Sequence, residues 1–401
     1  ARASLVGADL ELADLSNVDL SSADLSNATM TGAILTGISA ADAVFDSVVL
    51  RCETETCQPV SAFSDLTGSS WVGSDLSGQD FSDLDLAGID VRNANIQGTL
   101  WGSSILTDSN FSGQNLTGID LSQVSQLAGA RFAGASLTCA SDQPCDPLAS
   151  ALDLTGVGFQ GAALQGVSFQ NRALAGADFS LADLSGADLT GATATRANFS
   201  GASLVGVNLN GVDLAEARFD STDFACSSDS PCTPFSGVSS LTGAGFRFAG
   251  LEYVRFEGES APLDLTEADF SQANLTGAQF LNVNALGARF DLLVEVCSGQ
   301  GACADFSGAI LSDGVRPASF VQAQLSGVSF TAKDLLESVN GPVTFSMWGH
   351  CARSAHGLYK VAALTVGPDQ RVETSDDLGP HNWGFFKPRV ATGLEGIWLC
   401  F

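Results

Sequence analysis

A Leu or Phe recurs at every fifth residue through most of the first 340 residues, usually with Ala two positions before it. The opening run is Leu5, Leu10, Leu15, Leu20, Leu25, Met30 and Leu35, with Ala8, Ala13, Ala23, Ala28 and Ala33 at the fixed offset. A period of five is neither the 3.6 of a helix nor the 2 of a flat strand. It calls for a coil that returns every fifth side chain to one interior. It also leaves few unique residues for chemistry, so an enzyme is the least supported class.

Charge bounds the partners. Lys and Arg number 17 against 45 Asp and Glu, a formal net charge of -28. Residues 341–401 carry equal numbers of each sign, so the whole excess lies on the periodic region. Such a surface repels nucleic acid and anionic membrane through its long-range field. Asp before each central Leu or Phe reads as an exposed position that keeps the chain soluble. No stretch approaches the ~20 apolar residues that span a bilayer. There is no signal peptide, and Ala1 in place of Met fits a leader already removed.

Eight of the ten cysteines fall in close pairs: Cys52/Cys57, Cys139/Cys145, Cys226/Cys232 and Cys297/Cys303. Cys351 and Cys400 remain. The residues between paired cysteines are small and polar, as in Glu53–Thr56 and Ser227–Pro231. They read as loops closed by local disulfides, and the even count points to an oxidising compartment. Zinc would need ligand pairs converging from neighbouring loops, and no His is near. His350, Cys351 and His356 invite a metal reading, which a Cys351–Cys400 disulfide disfavours. No metal, cofactor or catalytic residue is expected.

Segments such as Ala177–Gly191 repeat Ala-Asp-Leu/Phe-x-x without gaps. Over residues 3–338 the chain resembles the pentapeptide-repeat family. That resemblance implies an all-β fold: a right-handed quadrilateral β-helix with four pentapeptides per coil. The central residue and the small residue two before it point inward. The residues agree independently: central Phe159, Phe169, Phe179, Phe199 and Phe219 would stack in ladders, and Gly, Ser and Thr after the centre suit tight corners. About fifteen coils at ~4.8 Å make a rod on the order of 70–75 Å. Trp71 and Trp101 stand on central positions and imply local widening.

A longer period sits inside the short one. Cys52, Cys139 and Cys226 are 87 residues apart, and each pair sits two residues after a central position, Leu50, Leu137 or Phe224. Each of these pairs is followed by Cys-x-Pro and an apolar residue, Val60, Leu148 or Phe235. Cys297 follows after 71 residues, and Cys303-Ala-Asp-Phe306 lacks the Pro. An extra insertion at Glu257–Pro262 would keep that fourth loop on the face of the others. A single shortened repeat would turn it elsewhere.

The expected domains are the β-helix with its four loops over 1–339 and a small disulfide-linked β-rich module over 340–401. In the module, Val343–Trp348, Leu358–Val366, Arg371–Thr374 and Gly396–Phe401 read as strands. Its aromatics Trp348, Trp383, Phe385, Phe386 and Trp398 form a core or line a glycan or partner site. Three functions follow. The first is an extracytoplasmic structural rod that self-assembles through its N-terminal coil (Leu5, Leu10) and the C-terminal module, since an unpaired β-edge templates association. The second, from the resemblance, is an acidic DNA mimic of the gyrase-protecting type. The third is a stalk presenting a C-terminal head that binds a glycan or a protein.

Overall fold

The computed structural model describes residues 3–50, 60–138, 146–224, 226–259 and 261–293, stretches between 303 and 323, and the backbone of five two-residue strands beyond. The chain divides into two compact units, Ala1–Asn198 and Phe199–Phe401.

In unit 1 the residue before most central positions makes a parallel bridge to its equivalent in the next coil. Ser4 pairs with Asp24, Asp24 with Val44, and Val44 with Ser70. The usual step is twenty residues, and inserted loops lengthen it. Most described sides of a coil end in a turn in which the central carbonyl accepts the N–H three residues on, as in Ala8 N–H to Leu5 O at 3.0 Å. After Trp101 the positive φ falls on Gly102, but usually it is the residue two after the centre that has positive φ, which makes this a type II turn. That is why Gly or Asn recurs there, for example Gly32 and Asn27.

Two inward positions in five residues fill the interior. In unit 1 one face stacks Phe45 on Trp71 at 4.1 Å, then Phe111, Phe132, Phe159 and Phe179 in ladder order. Trp71 and Trp101 are fully buried. Each indole N–H donates to the inward residue two before it, Ser69 (3.0 Å) or Thr99 (2.8 Å), which in turn donates to the carbonyl of Leu66 or Ile96. The large ring therefore comes with a hydroxyl in place of the usual Ala.

Unit 2 carries two phenylalanine stacks. One runs Phe199, Phe219, Phe246, Phe270, Phe290 and Phe320. The other runs Phe235, Phe256, Phe280 and Phe306. Within a stack the rings are near parallel, and between stacks they meet edge-on, as for Phe270 and Phe280 at 5.5 Å. Both geometries suit the aromatic quadrupole. Strands β1 (Arg255–Glu257) and β3 (Gln279–Leu281) pair in parallel, as do β2 (Leu263–Asp264), β4 (Val283–Asn284) and β5 (Ala309–Ile310). The pairing then becomes antiparallel. β6 (Ser329–Phe330) and β7 (Ala352–Arg353) flank β8 (Tyr359–Lys360), and β9 (Phe385–Phe386) pairs with β10 (Leu399–Cys400). β8 and β10 fall inside expected strands. β7 and β9 lie where no strand is expected, and Val343–Trp348 and Arg371–Thr374 lie outside the described residues.

Candidate functional site

The interior is filled by packing side chains, so the chemistry that is available lies on the outer faces, at the corners and at the loop bases. On the faces, an Asp before a central residue is more than a solubilising group. Its Oδ1 accepts both the N–H and the hydroxyl of the Ser or Thr two residues on: Asp14 from Ser16 at 3.0 and 2.6 Å, Asp264 from Thr266 at 3.0 and 2.5 Å. These bonds lock the corner in an Asx-type turn. The Ser hydroxyl and then its backbone N–H hold Asp14, Asp19 and Asp24 below the usual carboxylate range. Burial pushes Asp178, Asp183 and Asp188 up. Bonds from Ser180, Ser185 and Thr190, joined by Gln160, Gln165 and Gln170 of the preceding coil, outweigh it and leave all three lowered. The Gln160–Asp178 and Gln165–Asp183 rungs measure 2.6 and 2.5 Å, and Gln170 donates to Asp188 in the same way. Three successive sides of one coil are thereby tied to the next. The expectation of simply exposed Asp is corrected: these three are partly buried and bonded.

The loop bases are held individually. Val60, Leu148 and Phe235, the residues after Cys-x-Pro, are each fully buried and serve as central residues of their coil side. In unit 1, Gln79 donates to Leu50 O (2.9 Å) and accepts Val60 N–H (3.2 Å), so one amide spans the 51–59 loop. Arg172 occupies an inward position where Ala is usual and is buried. Its guanidinium binds both carboxylate oxygens of Asp146 at 2.7 Å and donates to Ser168 O at 3.1 Å, pinning the exit of the 139–145 loop. In unit 2, Cys226 and Cys232 are joined in a disulfide with Cα atoms 5.6 Å apart. Arg255 N–H donates to Cys232 O at 2.8 Å, and Ser236 donates to Glu259 at 2.6 Å. Cys303 is also disulfide-bonded.

Register places the loops. In unit 1 the positions of Leu50 and Leu137 lie on one face, through bridges from Val49 to Asp75 and from Asn115 to Ser136. In unit 2, Phe219 and Phe290, each one pentapeptide before a cysteine loop, share a face through Phe246 and Phe270. The Gly245–Asp269 bridge is longer than the usual step, and the extra residues lie between β1 and β2. The insertion at Glu257–Pro262 therefore restores the register.

Unit 2 also carries an ion-pair ladder on the outside of its first phenylalanine stack. Arg218 pairs with Asp220 (2.8 Å), Arg247 with Asp269 (3.0 Å), and Arg289 with Asp269 (3.6 Å) and Asp291 (3.4 Å). The three guanidiniums are half-exposed or more. In unit 1 a cleft of about 220 Å³ opens beside Phe63, Asp65, Leu84 and Asp85. Among the described residues no three His, Cys, Asp or Glu side chains converge on a metal position, and no helix is long and apolar enough to cross a membrane.

Of the residues singled out from sequence, Leu5 and Leu10 are half-buried. Phe385 and Phe386 form β9, and Cys400 pairs with Phe385 in β10. Cys52, Cys57, Cys139, Cys145, Cys297, Cys351, Trp348, Trp383 and Trp398 lie outside the described residues. Sequence reasoning missed Arg172, Gln79 and the Asp locks. The signals were present: Arg or Gln at an inward position, and Ser or Thr two after Asp.

The family described as pentapeptide repeats matches in eight copies, over residues 1–50, 62–98, 104–138, 162–201, 195–225 and 264–291. No protein of curated function matches the sequence. Among solved structures, the chain is similar to HetL, a pentapeptide repeat protein involved in heterocyst differentiation regulation from the cyanobacterium Nostoc sp. strain PCC 7120. The identity is 23%, covering 71% of this chain and 89% of HetL, with a TM-score of 0.19. It is also similar to full-length QnrB1, a plasmid-mediated fluoroquinolone resistance protein, at 18% identity, 57% and 93% coverage and a TM-score of 0.22. Rfr23 from the cyanobacterium Cyanothece 51142 matches at 16% identity, 54% and 91% coverage and a TM-score of 0.12. Likenesses of this size carry no argument about function. The five-residue register, the four-sided coils and the family match agree: the chain is a right-handed β-helix and belongs to the pentapeptide-repeat family.

Proposed function

We propose that this is a non-enzymatic structural protein of an oxidising, extracytoplasmic compartment that works by self-association through the outer faces of its β-helix. The observation that carries the reading is a mismatch on those faces. Large apolar side chains, Leu12, Leu181 and Phe248 above all, stand exposed on a surface otherwise dominated by carboxylates. Scattered apolar exposure is ordinary, but a bulky apolar side chain held in the left-handed region is uncommon. The Cys226–Cys232 disulfide supports the compartment, since such local bridges persist where thiols are not kept reduced. The regular loop register supports a surface built to repeat. The C-terminal aromatics Trp348, Trp383, Phe385, Phe386 and Trp398 remain candidates for an assembly contact or for a head that binds a glycan or protein.

Electron microscopy of native material tests assembly: ordered polymers or a layer are expected, and dispersed single particles under all ionic conditions contradict it. A thiol count under denaturing, non-reducing conditions tests the compartment: no reactive thiols are expected, and ten contradict it.

A second reading, an acidic mimic of duplex DNA, is favoured by one feature. Residues 3–50 carry seven carboxylates and no Lys or Arg. A full complement of free thiols together with tight binding to a DNA-handling protein would select it.

A further inference from the structure

Among the corner residues with positive φ, five are bulky and apolar or aromatic, and most of these are also exposed. Leu12, Leu181, Phe248, Tyr253 and Leu292 have φ between 57° and 59°, the left-handed region that a bulky side chain enters at a cost. Leu12 is 74% exposed, Leu181 73% and Phe248 59%, and Leu292 is exposed as well. Leu12 and Tyr253 lie over Gly32 and Gly277 of the next coil, whereas the Phe248 ring stands mostly exposed where Gly would be relaxed. Local rules broken together mark places where another requirement prevails.

In unit 2, Phe248 and Leu292 stand at the same corner, each two residues after a member of one stack, Phe246 and Phe290. Two coils separate them, about 10 Å. Next to them runs the ladder of Arg218, Arg247 and Arg289. Arginine with exposed apolar side chains is the composition of a contact surface. In unit 1, the first coils offer the complement. Asp9, Glu11, Leu12 and Asp14 are exposed together, and Ile34, also exposed, bridges to Asp14. Nothing cationic lies among residues 3–50.

We infer that the Arg247–Phe248 strip of unit 2 docks the Glu11–Leu12 corner of unit 1 in a second copy of this chain. The inference rests on the self-association reading and names its surface. Each guanidinium is already held by an Asp of its own face, but all three are half-exposed or more; their outer N–H groups meet the carboxylates of the other copy, and the apolar corners meet each other. Each copy carries both patches, so the contact is met either twice in a closed pair or once per junction along a series of copies.

Sedimentation equilibrium of the full, oxidised chain tests it. The wild type is expected to associate with rising concentration. Phe248→Gly and Leu12→Gly relax the strained corners, so each leaves Tm unchanged or raises it while weakening association about tenfold or more. Arg247→Glu alone and Glu11→Arg alone each lose association, and an equimolar mixture of the two recovers it in mixed complexes. Wild-type association with Phe248→Gly, or no recovery on mixing, overturns this assignment while self-association stands. A wild type that is monomeric at every concentration overturns both.

Discussion

Coils 66–116 of unit 1 and coils 244–323 of unit 2 close the same four-sided turn around different interiors. Unit 2 places Ala at the inward small positions, Ala244, Ala249, Ala268, Ala273, Ala278 and Ala288 among them, and stacks Phe behind. Unit 1 puts polar residues there, Ser69, Ser74, Gln79, Thr99, Ser104, Ser109 and Gln114, all buried. Most of them bond to backbone: Ser74 donates to Phe45 O and accepts Val48 N–H, and Gln114 donates to the carbonyls of Val91 and Ala94. The Ser104 and Ser109 hydroxyls have no partner among the described residues. One coil geometry thus tolerates both a dispersion-packed core and a hydrogen-bonded one. They fail differently: an apolar core loses contacts in proportion to volume, and a polar core is damaged when one partner is removed.

The largest effect is expected in unit 2. Phe280→Ala removes a ring stacked on Phe256 and Phe306 and met edge-on by Phe270 and Phe290. A cost of about 3–5 kcal/mol in urea unfolding is expected; a cost under about 1 kcal/mol would mean that the stack collapses to fill the gap. In unit 1 the counterpart is electrostatic. Asp146→Ala strands the buried Arg172 guanidinium, and about 3 kcal/mol should be lost. Arg172→Met should recover much of that in the double variant, since the unpaired charge is gone.

The next pair sharpens the comparison within unit 1. Ser69→Ala leaves the Trp71 indole N–H without its acceptor and should cost about 1–3 kcal/mol, read by the same unfolding curve. Ser104→Ala removes a hydroxyl that makes no bond and should be neutral or mildly stabilising. If the two cost the same, hydrogen bonding is not what separates these positions.

A pH titration of stability probes the Asp locks. Asp14, Asp19, Asp24, Asp120 and Asp153 have folded values below the ordinary 3.8. Their contribution is therefore full above that value and lost as pH falls through the lower folded ones. Thermal melts should weaken only below about pH 4. A loss that begins near neutrality would point away from the Asp locks. A small effect is also expected of Phe248→Gly: the relaxed corner offsets the added chain entropy, so stability is unchanged or slightly raised.

The architecture is legible in sequence because a coil of identical sides has one interior, and a strict period of five leaves no other way to fill it. The fate of Val60, Leu148 and Phe235 is equally legible, since each apolar residue after Cys-x-Pro re-enters the central register. Arg172 is not, because its burial depends on Asp146, which lies across a loop and one coil away. Gln79 likewise matters only once Leu50 and Val60 are brought to it. The Asp locks escape a pattern read one position at a time, because the partner is the Ser or Thr two residues on. Exposure of Phe248 is local and readable; its positive φ is the added information, and it turns a surface residue into a conflict.

The central claim is that the outer faces of this β-helix join copies of the chain. Sedimentation velocity of the full chain, purified without reductant and followed over rising concentration, tests it most directly. The sedimentation coefficient should climb with concentration and fall back when Phe248 is replaced by Gly. A single monomer-sized boundary at every concentration contradicts it.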